Sequence, residues 1–263
     1  MSPLVVTVPP AAGLSRVGIG GWTYAPWRGS FYPPGLAQGK ELAWASRQLD
    51  TIEVNGTYFS TFGPATFARW LDETPDRFVF SLKANRFATN RKLLASAGPG
   101  ISRFVESGIS GLGAKLGPIV WQFMPTKVFD PEDFEAFLAL LPRSVDGIAL
   151  RHVLDVRHPS FDTPGYLALA ARYRCVTVHS DAANLPDIRD ADGDFAYLRL
   201  MHCQAGLETG YPTAGLQAWA RGAAAWVAGE PPRDVFIYFI NGAKELAPAA
   251  AMALKKAIAA ASI

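Results

Sequence analysis

Eight short runs rich in β-branched and aromatic residues recur along the chain, at 17–21, 51–54, 78–82, 119–123, 148–157, 176–179, 195–200 and 235–240. No other feature constrains the fold as much. Between the runs lie stretches with helical spacing at 40–49, 64–71, 101–113, 131–141, 164–173, 214–228 and 245–260. A strand followed by a covering helix returns parallel to its neighbour, and eight such units close on themselves as a (β/α)8 barrel. The slot at 182–194 is polar and contains Pro186, so the helix after the sixth strand is expected to be degenerate. A doubly wound open sheet would need a composition break or switch point near the middle, and the sequence has none. The expectation is therefore one α/β domain over residues 1–263, a TIM-type barrel from about 16 to 261 with an extension at 1–15.

Local signals agree with this reading. Pro64, Pro131 and Pro164 suit first helical turns, and Asp130 and Thr163 are candidate N-caps. A length of 263 residues fits a single barrel of ~250. Lys plus Arg number 25 against 23 Asp plus Glu, a formal charge of +2, which argues against a broad nucleic-acid footprint but leaves room for a local patch. Cys175 and Cys203 are too few for a disulfide framework and fall near apolar, strand-like runs, so both are expected reduced. No basic leader precedes an apolar stretch, and no apolar run nears the ~20 residues of a membrane span. A cytoplasmic protein without a membrane partner is expected.

Strand side chains alternate between faces, so one parity of each strand points into the barrel. Assigning the apolar parity to the helices turns Glu53 and Asn55 inward on the second strand, Ser81 and Lys83 on the third, Gln122 on the fourth, and Asp155 with Arg157 on the fifth. The same rule selects Thr177, His179 and Asp181 on the sixth strand, Arg199 on the seventh and Asn241 at the end of the eighth. Interiors built only for stability are filled by Val, Ile and Leu, so so many polar ends imply mutual ion pairs or a wet pocket. Glu53 and Asp155 are candidate proton movers, and His158, just after the fifth strand, is a candidate shuttle. Lys83, Arg157 and Arg199 are candidate grips for a small anionic ligand. In the aromatic loop after the first strand, Trp27, Phe31 and Tyr32 read as a small core of their own, whereas Trp22 and Tyr24 are pocket candidates. No His-x-His, His-Glu-x-x-His or Cys-x-x-Cys pair is present, so no cofactor is expected; a divalent metal held by Glu53, Asp155, Asp181 and a histidine is the alternative.

These segments resemble the YecE-like family, also known as domain of unknown function 72. The resemblance rests on Gly21, Trp22, Tyr24, Trp27, Phe31, Tyr32 and Pro33; on Glu53, Asn55, Thr57 and Tyr58; and on Trp70, Thr74, Pro75, Phe78, Phe80 and Lys83. It continues through Gln122, then Asp155, Arg157 and His158, then Tyr197 and Arg199, and ends at Tyr238, Phe239 and Asn241. It implies a TIM-type barrel and no particular reaction, and it adds Tyr58 to the candidate pocket. The chain departs from the family's pattern at Thr89-Asn90, at Asp155 (commonly Glu), at Met124-Pro125 and at Met201-His202-Cys203.

Three functional readings follow. The first is an enzyme acting on a small phosphate- or carboxylate-bearing substrate by acid–base chemistry, as a hydrolase or a carbon–oxygen isomerase or lyase. The second is a metal-dependent phosphodiesterase or nuclease-like barrel. The third is a barrel that binds a ligand or partner without chemistry.

Overall fold

The computed structural model describes residues 13–188 and 193–261. Its strands are β1 (Ser15–Gly20), β2 (Thr51–Val54), β3 (Val79–Lys83), β4 (Leu116–Gln122), β5 (Ser144–Val145), β6 (Ile148–Ala149), β7 (His152–Asp155), β8 (Cys175–Ser180), β9 (Phe195–Leu200) and β10 (Asp234–Phe239). β1, β2, β3, β4, β7, β8, β9 and β10 close in that order into an eight-stranded barrel, β10 pairing back onto β1. Every pairing around the ring is parallel. The expected (β/α)8 architecture is the observed one.

The run at 148–157 does not form one strand. Its first residues pair backwards with β5 as a two-residue hairpin, Val145 opposite Ile148. The turn between them is Asp146-Gly147, with φ of 47° and 79°. Positive φ at both central residues is the geometry of a tight hairpin turn, and Asp-Gly supplies it at low cost. That dipeptide is visible in the sequence and marks the break.

Helices cover the outer face at Glu41–Gln48, Pro64–Glu73, Gly98–Val105, Pro131–Ala139, Pro164–Arg172, Thr213–Val227 and Ala247–Ala261. Asp130 caps its helix by accepting from the Glu132 and Asp133 amides, and Thr163 accepts from the Tyr166 amide. The expected helix at 101–113 is two pieces, because Gly108 (φ 103°) breaks it before a 3-10 segment at Ile109–Lys115. A Cβ on Gly108 would lie 2.7 Å from the Pro64 ring, so both backbone and packing demand glycine there. Between β8 and β9 the described residues contain no helix, as expected for that slot, and 189–192 lie outside them.

Two apolar layers hold the barrel. Ile19, Ile52, Phe80, Leu82, Trp121, Leu154, Leu198 and Ile237 pack outward under the helices. Val79, Val120, Val153, Val176, Val178, Phe195, Tyr197, Phe236 and Tyr238 fill the interior. Each fully buried side chain of this size contributes ~1.5–3 kcal/mol relative to exposure, so burial on both faces of β3, β4, β7, β8, β9 and β10 stabilises closure. β1 offers the interior no side chain at Gly18, where a Cβ would stand 1.9 Å from the Thr51 carbonyl oxygen. Cys175 and Cys203 are buried free thiols. Among the described residues, no helix is long and apolar enough to cross a membrane.

Candidate active site at the barrel mouth

β9 alternates Leu198 and Leu200 under the helices with Phe195, Tyr197 and Arg199 in the interior. Arg199 is only 2% exposed and would be costly there without partners. Two strands provide them. Its Nη2 donates to Glu53 Oε1 on β2 at 3.0 Å, and its Nη1 to Asp155 Oδ2 on β7 at 2.5 Å. The second Glu53 oxygen accepts from the Tyr197 hydroxyl at 2.8 Å, and the Tyr197 oxygen lies 2.8 Å from Ser81 Oγ on β3. Burial works against the Arg199 charge, but the Glu53 and Asp155 carboxylates beside it raise its pKa overall. Burial, aided by Glu53, also pushes the Tyr197 phenol far up, so it stays a donor.

Arg157 extends this network toward solvent. Its Nε and Nη2 fork onto the two Asp155 oxygens at 3.3 and 2.9 Å, and Nη2 also donates to Gln122 Oε1 at 2.8 Å. The same Gln122 oxygen is 3.4 Å from Arg199 Nη1. The Arg157 side chain keeps 19% of its surface exposed.

Lys83 differs from both arginines. It ends β3, is 7% exposed, and holds its ammonium 4.3 Å above the centroid of the Tyr58 ring. Among the described residues, no carboxylate pairs with it. Burial lowers its pKa to about 8, with Arg199 and Arg157 lowering it further and Glu53 and Asp155 opposing them. With Lys83 protonated, three cations face two carboxylates, an excess of one positive charge at a nearly closed mouth. A desolvated, uncompensated cation is an attractive place for an anion.

The structure thus brings Glu53, Lys83, Gln122, Asp155, Arg157 and Arg199 together, with Tyr58 beside Lys83. Asn55 reaches the same end: a Cβ on Gly20 would be 3.1 Å from both Asn55 Nδ2 and Ile240. His158 sits just beyond β7 and caps a 3-10 turn, its Nδ1 accepting from the Ser160 amide at 3.2 Å. Ser160 Oγ accepts from the Phe129 amide and lies 2.8 Å from the same Nδ1. Neutral His158 therefore carries its proton on Nε2. Trp22 packs edge-on against Trp70, and Tyr24 lies against Trp27 and under the Lys244 ammonium. Trp27 and Tyr32 are fully buried, as the loop-core reading requires.

Two parities were misplaced by the sequence reading. On β8 it is Val176 and Val178 that face inward, whereas Thr177 bonds the Tyr166 hydroxyl and His179 packs on Trp219 of the covering helices. Asp181 shares that outward parity; it accepts from Tyr211 and from the Met201 amide, bracing the loop after β9. On β10 the inward residues are Phe236, Tyr238 and Ile240, so Asn241 is exposed at the strand end rather than in the interior. The cause is the same: both faces of a parallel barrel are apolar, so an apolar parity does not identify the outside. Tyr197 went unrecognised as a member of the site, although it stands two residues before Arg199 on the same face.

Among the described residues, no group of three or more His, Cys, Asp or Glu side chains is arranged to hold a metal. The Arg199 guanidinium stands between Glu53 and Asp155, where a shared cation would bind, and Asp181 belongs to the other face.

Fold and site together define a TIM-type barrel with a buried, net-positive cluster at its C-terminal mouth, the end where such barrels carry their chemistry. The family model for a protein of unknown function, DUF72, matches residues 16–262, and the chain belongs to that family. It is similar in structure to a DUF72 family protein from Thermotoga maritima MSB8, with a TM-score of 0.74 and 20% identity over 92% of this chain and 98% of that one. A DUF72 family protein from Enterococcus faecalis V583 superposes with a TM-score of 0.71 at 16% identity, covering 94% and 96%. SacUVDE shares the fold at a TM-score of 0.59 and 9% identity over 95% and 99%. No curated protein matches the chain significantly.

Proposed function

We propose that the barrel mouth is the active site of an enzyme that binds a small phosphate- or carboxylate-bearing substrate and transforms it by acid–base chemistry. The observation that carries this reading is the buried Lys83 ammonium, which has an aromatic face but no carboxylate partner among the described residues. Arg157 supplies a second, partly exposed grip for the anion. Glu53 and Asp155 are occupied by Arg199, Arg157 and Tyr197, so their part is positioning rather than proton transfer. The mobile proton belongs to Lys83. With a pKa near 8 it is mostly an acid at neutral pH, able to protonate a departing oxygen, and is regenerated without leaving the useful range.

Calorimetric titration with sulfate, which does not titrate near neutrality, tests the reading. Binding is expected at pH 7, to weaken about tenfold or more between pH 7 and 9.5 as Lys83 loses its proton, and to vanish in Lys83→Met. Lys83→Arg is expected to keep the anion and to lose turnover in a screen of phosphate and carboxylate esters. Sulfate binding that is equal in wild type and Lys83→Met, and flat with pH, contradicts it.

A further inference from the structure

Beside the mouth, the loops after β2, β3 and β4 build a rim of unusual composition. From the end of β3 to Arg103 the sequence carries Arg86, Arg91, Lys92 and Arg103 and not one Asp or Glu. No carboxylate pairs with Arg86, Arg91, Lys92 or Arg103 among the described residues. Of the acids that border it, Asp133 is paired with Lys127 at 2.8 Å and accepts from the Ala95 amide at 2.9 Å, and Asp130 caps a helix. The charge of Arg86, Arg91, Lys92 and Arg103 is thus open to a ligand from outside.

The rim is also where the protein exposes its apolar side chains. Of the eight large apolar residues exposed among the described ones, Phe59, Phe87, Leu93, Met124 and Val128 all lie here. Phe59 and Phe87 flank the Arg86 guanidinium, whose carbon is 5.9 and 5.6 Å from their ring centroids. Both rings are more than half exposed, at 61% and 56%. The surface is concave. One groove of about 860 Å³ runs between Thr89–Leu93 and Met124–Asp133, with Arg91, Lys92 and Lys127 in its wall and Asp130 and Asp133 at its far side, the latter paired with Lys127. A second, of about 210 Å³, is shared by Arg91, Arg103 and Phe87. These walls are held in shape: Arg91 Nε donates to the Phe87 carbonyl at 2.6 Å, and Asn85 caps the intervening turn through the Phe87 amide at 3.0 Å. The Thr89 hydroxyl, on a residue in the wall of the larger groove, is buried and has no hydrogen-bond partner among the described residues.

We infer that this rim binds single-stranded nucleic acid, its phosphates lying along Arg86, Arg91, Lys92 and Arg103 and its bases stacking on Phe59 and Phe87. Unpaired cations match a phosphate chain, and exposed ring faces match unstacked bases. A lipid surface fits less well, because a bilayer is flat and Phe87, Leu93, Met124 and Val128 line grooves. A near-neutral chain is compatible with the inference, since the charge is local. The proposal is independent of the chemistry assigned to Lys83.

Fluorescence anisotropy with a labelled oligothymidylate of about twelve nucleotides tests it, using the full chain. Affinity is expected to fall roughly twenty- to fiftyfold between 50 and 200 mM salt, the slope for three or four single-strand phosphate contacts. The double substitution Arg86→Ala with Arg91→Ala is expected to weaken binding about tenfold and to flatten that slope. Phe87→Ala is expected to cost roughly five- to hundredfold, as loss of one stacked base does. Inorganic polyphosphate is expected to bind more weakly than the oligonucleotide and to ignore Phe87→Ala. Lys256→Ala, on the remote C-terminal helix, serves as the control and leaves binding unchanged. Lys83→Met is expected to leave oligonucleotide binding within about twofold while abolishing sulfate binding, which separates this site from the mouth. Equal affinity of wild type and the double arginine variant overturns the inference. So does polyphosphate binding as well as the oligonucleotide, or phosphatidylserine vesicles being bound when the oligonucleotide is not.

Discussion

The two ends of the barrel interior are built from similar parts and finished differently. At the N-terminal end, Asp234 pairs with Arg16 at 3.4 Å and with Arg151 at 3.1 Å. Both guanidiniums also lie over the Phe236 ring, at 5.4 and 4.9 Å from its centroid. The two guanidiniums share that one carboxylate and that one aromatic face, and both belong to arginines, which cannot shed their charge at ordinary pH. At the C-terminal mouth the arginines take both carboxylates and the leftover cation is a lysine. Lys83 keeps the aromatic face and lacks the carboxylate. The lesson is that both ends carry one cation more than they have carboxylates, and that a charged interior becomes a plug or a site according to whether the surplus charge can be given up.

Removing the hub of the mouth should have the largest effect on stability. Arg199→Met strands the buried Glu53 carboxylate, leaves Asp155 with Arg157 alone, and is expected to cost about 3–5 kcal/mol, lowering the melting temperature on the order of ten degrees. Adding Glu53→Gln and Asp155→Asn should recover much of that loss, and urea denaturation of the single and triple variants measures both. If Arg199→Met melts like wild type, the hub is not what closes the mouth.

Lys83→Met is expected to act in the opposite direction. The folded pKa of Lys83, about 8, lies below its ordinary 10.5, so protonation favours the unfolded chain. The penalty is fully present below pH 8 and disappears as the pH rises toward 10.5. Substitution should therefore stabilise the protein by about 2–3 kcal/mol at pH 7, with the gain fading across that window. Paired urea titrations at several pH values show the trend, and a gain that persists at high pH would assign it to packing instead.

At the plugged end, Asp234→Asn is expected to cost about 1–2 kcal/mol, since its arginines keep an aromatic face and partial solvent contact. Sulfate affinity should not move, and a loss of sulfate binding would erase the distinction between the ends. Smallest of all, Asn241→Ala should change stability by less than about 0.5 kcal/mol and leave sulfate binding intact, because the residue is exposed outside the interior parity. A clear loss of binding would return Asn241 to the site.

The legible parts of this molecule are those where polarity alternates. On β2, β3, β7 and β9 the inward parity carries Glu53, Lys83, Asp155 and Arg199 against apolar outward neighbours, and period-two reading finds the interior directly. On β8 and β10 the interior is itself apolar, through Val176, Val178, Phe236 and Ile240, so parity assigns the wrong face and sends Asp181 and Asn241 inward. The Asp146-Gly147 turn is readable from its chemistry, but the strand that follows it, Ile148–Ala149, is absorbed into a longer apolar run. What the sequence does not encode locally is pairing. Nothing near Glu53, Asp155 or Tyr197 in the chain announces that all three converge on Arg199 and leave Lys83 without a counterion; that follows only from strand register around a closed ring.

Lys83 is the point on which the account turns, and its ammonium can be observed by nuclear magnetic resonance of protein labelled with nitrogen-15 lysine, with Lys83→Arg providing the assignment. The account predicts a titration midpoint near 8 in the free protein, and a rise in that midpoint on addition of sulfate as the missing counterion is supplied. A midpoint at the ordinary 10.5, unmoved by sulfate, would show that Lys83 is solvated or already paired and would contradict the account.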